Sequence, residues 1–224
     1  MMDPKKLSDE EKTMYVFRRT VETSGEMDVV IPLAVELKEI AKKEAGIDVT
    51  VWAGGLGFRN GTLVFSVPYA SVADRAVATG KLAMSKAFAD GNRKLYPHVR
   101  DIAPDEMAQY IKGGSVAGSV PVGAVVSLIE SQLAQGADWM KTLEWALSVA
   151  ELNDKITGTT HNVAYVVYGQ LGRLITMAGY ADGAAAAAAR EAMVAHPEWM
   201  PKFLELGQFA AAGSVESRLM TKIL

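Results

Sequence analysis

Few residues in this chain have side chains and spacing suited to chemistry. There is no cysteine, which excludes thiolate nucleophiles, disulfides, iron–sulfur clusters and Cys-based zinc sites. The three histidines, His98, His161 and His196, are too scattered for a metal site. His98 follows Pro97 and His196 precedes Pro197, so both read as surface or helix-end residues. His161 lies in a β-branched, aromatic run, where alternation groups it with Val163 and Tyr165 on one face of a strand. A neutral imidazole there can exchange a proton near pH 7, or it can be a structural histidine satisfied at a sheet edge. In Arg18-Arg19 adjacent side chains point to opposite faces. Tyr15 and Phe17 group with Arg19, which leaves Arg18 pointing inward with Ser127 as its repeat-related neighbour. A buried arginine requires an anionic partner, either a carboxylate or enolate of a ligand or a protein carboxylate such as Glu106.

The elements that position these residues follow from pattern. Residues 14–21 read as a strand, 26–45 as a helix ending at Gly46, and 47–53 as a second strand. The Gly-rich run 54–61 is a hairpin turn rather than a phosphate loop, because it joins two strands and not a strand to a helix. Residues 62–67 form the third strand, Ser71 with Asp74 caps a helix running to about 89, and 106–111 form the last strand of the unit. The order β-α-β-β-α-β then recurs: strand 122–129, helix 138–155, strands 159–167 and 174–178, an Ala-rich helix opened by Asp182, and strand 215–222.

Gly61 and Gly172, Leu63 and Leu174, Tyr69 and Tyr180, and Ala70 and Ala181 all stand 111 residues apart, so the chain reads as two copies of one unit. The expected class is α+β, with ferredoxin-like units at 13–113 and 120–224, a linker at 114–119 and a flexible tail at 1–12. Each unit leaves one sheet face uncovered, and the two faces can pack together with the four helices outside and a cavity between the sheets. The 111-residue offset sets Thr50 against His161 and Trp52 against Val163. If this face is turned from the helices, His161, Tyr165, Thr50 and Trp52 point into that cavity. Trp139, Trp145 and Trp199 read as helix-borne core or interface anchors.

Composition narrows the function classes. The 224 residues carry 23 basic and 26 acidic side chains, without a basic block, which argues against nucleic-acid or membrane-surface partners. The uncharged stretch 113–129 holds four Gly, three Ser and a Pro, a poor composition for a membrane span. No apolar leader segment precedes the fold, and a cytoplasmic location is expected. The alanine run 184–189 implies close helix packing and leaves a homo-oligomer open.

The duplicated pattern resembles the dimeric α/β-barrel superfamily over nearly the whole chain, and Ala195-His196-Pro197-Glu198-Trp199 resembles a Pro-Glu-aromatic segment of proteins similar to NIPSNAP. That resemblance, shared with antibiotic-biosynthesis monooxygenases, implies a small-molecule enzyme acting on an aromatic or polyketide-like metabolite. The implied chemistry is cofactor-independent oxygenation, cyclisation or isomerisation. His161 would then be the general base, Arg18 would stabilise an enolate or phenolate, and Trp52 and Tyr165 would hold a flat ring, with Thr50 and Ser127 beside them. A solid inter-sheet core would instead mark a non-catalytic binding or assembly protein. Haem, bound in similar tandem barrels through a histidine on the first helix of the second half, has no such ligand between 138 and 155 and would have to recruit His161 or His196.

Overall fold

In the computed structural model, residues 15–24 and 26–224 are described; the tail expected at 1–12, Met14 and Gly25 lie outside them. Strand β1 (Tyr15–Thr23) leads to helix α1 (Met27–Ala45), which stops where Gly46 adopts φ 73°, a left-handed cap that glycine takes without strain. Strands β2 (Thr50–Gly54) and β3 (Thr62–Tyr69) form a hairpin. The Ser71 side chain then accepts the Asp74 N–H and opens α2 (Val72–Met84). The single helix expected to residue 89 is broken at Ser85, whose extended backbone ends α2 while its hydroxyl caps α3 (Lys86–Leu95). A short strand missing from the sequence reading, β4 (Val99–Ile102), precedes β5 (Glu106–Lys112). Most of β4 is exposed, so it carries no hydrophobic alternation, and pairing with the end of β1 alone creates it.

The second unit repeats this order as β6 (Val125–Gln132), α4 (Trp139–Thr157), β7 (His161–Tyr168), β8 (Arg173–Tyr180), α5 (Gly183–Ala195), α6 (Trp199–Leu204) and β9 (Glu216–Lys222). The strands run β3-β2-β9-β6-β8-β7-β5-β1, and β1 pairs back onto β3 to close the ring. The fold is α+β, a closed antiparallel barrel of eight strands with helices outside. The two four-stranded sheets face each other and are also hydrogen-bonded edge to edge, β2 to β9 and β5 to β7. Between β5 and β6, Val116 and Ala117 bury into the barrel, and Lys222 donates to the Ala117 and Val120 carbonyls at 2.6 and 2.9 Å. Among the described residues no helix is long and apolar enough to cross a membrane.

Candidate functional site

The barrel interior is filled by side chains, contrary to the expected cavity between the sheets. Trp52, Tyr110, Leu128, Ile175, Met177 and Met220 leave a void of about 40 Å³, room for water but not for an organic molecule. An eight-stranded barrel is only wide enough for its inward side chains to meet. Its polar content is an ion-pair network. Arg18 bonds Glu106 at 2.5 Å and pairs with Glu130; Arg173 bonds the other Glu106 oxygen at 2.8 Å, and Arg218 bonds Glu130 at 2.7 Å. Arg18 thus points inward, and its anionic partners belong to the protein.

Of the other expected site residues, Trp52 also points inward, donating Nε1–H to Ser66 Oγ at 2.8 Å. Thr50 pairs with Ser66 at the start of β2, on that same face. His161 and Tyr165 do not join them. Thr50 pairs with Ser66 as Asn162 pairs with Met177, so the true counterpart of Thr50 is Asn162. The second hairpin is one residue shorter than the first, so the 111-residue offset that relates β3 to β8 becomes 112 between β2 and β7. A one-residue slip moves every side chain of a strand to the opposite face. Ser127 is corrected for the same reason: Leu128 is the counterpart of Arg18, and Ser127 faces the helix side opposite Ala178.

His161 is a structural residue between α4 and the sheet. Its Nδ1 lies 2.9 Å from the Thr159 carbonyl and 3.1 Å from Asp154 Oδ1, and the Tyr180 hydroxyl donates to Nε2 at 3.3 Å. Tyr165 donates to Gln109 at 2.7 Å and packs edge-on against Trp139. Burial lowers the His161 pKa, with Thr159 and Asp154 partly offsetting it. A depressed folded value means that this contribution to stability is complete above the unfolded pKa of about 6.5 and falls as pH drops below it. His161→Ala is expected to lose about 1–3 kcal/mol and to flatten this pH dependence. Urea titrations from pH 7.5 to 5 check both, and an unchanged midpoint would refute the structural assignment.

The large cavity lies outside the barrel, between the first unit's sheet and helices α1, α2 and α3. It is partly open to the surface and has a volume of about 440 Å³, within the range of small-molecule sites. Phe17, Phe65 and Phe88 give it aromatic walls, and its charged residues are Arg19, Lys38, Arg75 and Asp105. Asp105 grips Arg19 in a two-point pair, 2.7 Å on each oxygen. Arg75, in the first turn of α2, reaches Asp105 only at 3.8 Å and stacks its guanidinium 4.6 Å over the Phe17 ring. Its side chain is 31% exposed, so its donors are free to meet a ligand. Among the described residues the Tyr69 hydroxyl has no hydrogen-bond partner. Burial raises its pKa against the nearby Arg75 charge, which keeps it a proton donor at neutral pH.

Comparison with solved structures adds to this geometry. A candidate monooxygenase from Fusobacterium nucleatum superposes with a TM-score of 0.65 at 9% identity, covering 96% of this chain and 94% of that one. An anthrone oxidase-like protein gives 0.63 at 14% identity over 97% and 94%. The chain shares with both the fold of a tandem α/β barrel. Its second half, residues 130–223, matches the sequence profile of the NIPSNAP family. A haem-binding protein from Thermus thermophilus shares the tandem barrel with a TM-score of 0.53 at 10% identity, over 94% of this chain and 91% of that one. No curated protein matches the sequence.

The two halves of this tandem barrel treat the space under their helices differently. By strand register, Phe17 and Arg19 correspond to Ser127 and Ile129, and by helix register Arg75 corresponds to Ala186. By the pairing of the last strand with the first, Glu106 corresponds to Arg218 and Asp105 to Ser217. In the second half Trp145, Phe203, Leu206 and Phe209 pack beneath the helices, and Trp199 stacks on Phe203. Tyr180 retains the place of Tyr69, but its hydroxyl is engaged by His161. The sequence reading missed Arg19, Arg75, Asp105 and Tyr69 as a group. For Arg19 and Arg75 the signal available was a charged residue in one half standing against an apolar one, Ile129 and Ala186, in the other.

Proposed function

We propose that this protein is a small-molecule enzyme whose site is the cavity beneath α1, α2 and α3, acting on an acidic aromatic or polyketide-like metabolite by cofactor-independent oxygenation. The observation that carries this reading is the partly open cavity of about 440 Å³ walled by aromatic rings, with the Arg75 guanidinium and the Tyr69 hydroxyl near one another on its lining. Flat rings gain from the phenylalanine walls. A phenolate or enolate gains from the guanidinium and phenol donors, which stabilise charge where it develops. The large-scale likeness to a candidate monooxygenase and an anthrone oxidase-like protein supports the same reaction class.

Arg75 and Tyr69 acidify the bound substrate, and its proton leaves to water at the cavity mouth, since the one carboxylate lining the cavity, Asp105, is occupied by guanidinium groups. The resulting carbanion passes electrons to dioxygen and forms a carbon–oxygen bond, and the peroxide takes up a proton. Loss of water then breaks the oxygen–oxygen bond and leaves a ketone, so a CH₂ carbon and one O₂ become a carbonyl and one water. Haem does not fit the residues present. Among the described residues the cavity lining contains no histidine, cysteine or methionine, α4 contains no histidine, both ring nitrogens of His161 are engaged by the protein, and His196 sits at the end of α5 in the other unit, away from the cavity.

The filled space between the sheets, which was the expected mark of a non-catalytic binding or assembly protein, and the pairing of Asp105, which leaves the cavity without a free base, favour a second reading, ligand binding without turnover. An oxygen electrode with 1,8-dihydroxyanthrone, together with a binding titration, separates the two. The expected result is one ligand per chain and oxygen uptake well above the buffer rate. Binding without uptake supports the second reading, and two ligands per chain or none overturns the assignment of the cavity.

A further inference from the structure

The charge inside the cavity says more about the ligand than its shape does. Three cationic side chains, Arg19, Lys38 and Arg75, line it with a single carboxylate, Asp105, which leaves an excess of two positive charges in a chain whose net charge is −3. Asp105 neutralises Arg19 through the two-point pair. Arg75 keeps only a 3.8 Å contact to it. Lys38 lines the cavity from α1, a different element from β1 and α2, which carry the guanidinium groups, and makes no ion pair among the described residues. A neutral ring filling the space would take solvent from both cations without offering a counter-charge, whereas an anionic group supplies one.

We infer that the ligand is a flat aromatic acid with two anionic oxygen groups at separate ends of the ring system, an ionised hydroxyl held by Arg75 and a carboxylate held by Lys38. This rests on the cavity being the site, as argued above. Lys38 is thereby the residue that selects carboxylated substrates over simple phenols.

Binding titrations of the full-length protein with 6-hydroxy-2-naphthoate, 2-naphthol and 2-methoxynaphthalene test the idea. In the native protein 6-hydroxy-2-naphthoate should bind at least about tenfold more tightly than 2-naphthol, and 2-methoxynaphthalene the most weakly. In Lys38→Met the ratio between the first two should collapse towards one, and Lys38→Arg should restore most of it. Melting temperatures of all variants establish that they are folded. Equal affinity of the acid and the phenol for the native protein, or a ratio that survives Lys38→Met, overturns the inference and leaves the cavity assignment standing. Failure of every probe to bind overturns the cavity assignment and the inference with it.

Discussion

Replacing Glu130 with glutamine is expected to destabilise the protein by about 3–5 kcal/mol, since one member of a buried ionic network is lost while its partners keep their charge. Glu130 is 1% exposed, on β6 of the second half, and pairs with Arg18 of the first half and Arg218 of its own. Burial pushes its carboxyl up, but the charges of Arg18, Arg218 and Arg173 outweigh burial and hold it below the usual carboxylate range. The sign of the pH dependence follows. A depressed folded pKa gives stability that is present above the unfolded value of about 4.3 and lost as pH falls through the folded one. Urea unfolding at pH 7 and at steps down to pH 3 should therefore show a large deficit for Glu130→Gln at neutral pH that narrows with acid. A variant as stable as the native protein at pH 7 would show that the network contributes nothing.

Splitting the chain should have a still larger effect. Neither residues 1–113 nor 114–224 is expected to be a stable monomer, whereas the two pieces expressed together should associate. The interior cluster is shared, with Trp52, Ala108 and Tyr110 from one half meeting Leu128, Ile175 and Met177 from the other. Separation would expose that apolar face, leave β2, β5, β7 and β9 as open edges, and strand Arg18 without Glu130. Sedimentation and cooperative melting of each piece check this, and a soluble, cooperatively folding monomer of either half would refute it.

Local rules were sufficient for much of this architecture. The helix starts at Ser71 and Asp182, the stop at Gly46 and the hairpin at Asn60-Gly61 are set by side chains acting within a few residues of one another, and they are legible in the sequence, as is the duplication, which repeats such local signals 111 residues on. The strand β4 is not, because it depends on pairing with the distant β1, and the break at Ser85, though made by a local cap on the Phe88 N–H, is hidden inside a continuous helical pattern. Which face of each strand turns inward was equally a tertiary matter. A single residue of difference between the two hairpins sent His161 and Tyr165 outward while Trp52 stayed inside, and no offset measured on β3 and β8 carries across that turn. The location of the cavity was also settled in three dimensions. Alternation alone shows that Arg18 and Arg19 part ways. Only closure of the barrel decides that the inward arginine is consumed by Glu106 and Glu130, while the outward one joins Arg75 and Asp105 around open space. The composition of the chain holds the charges for a site, but the number of strands in the ring, and hence the volume left inside it, determines on which side of the sheet that site can exist.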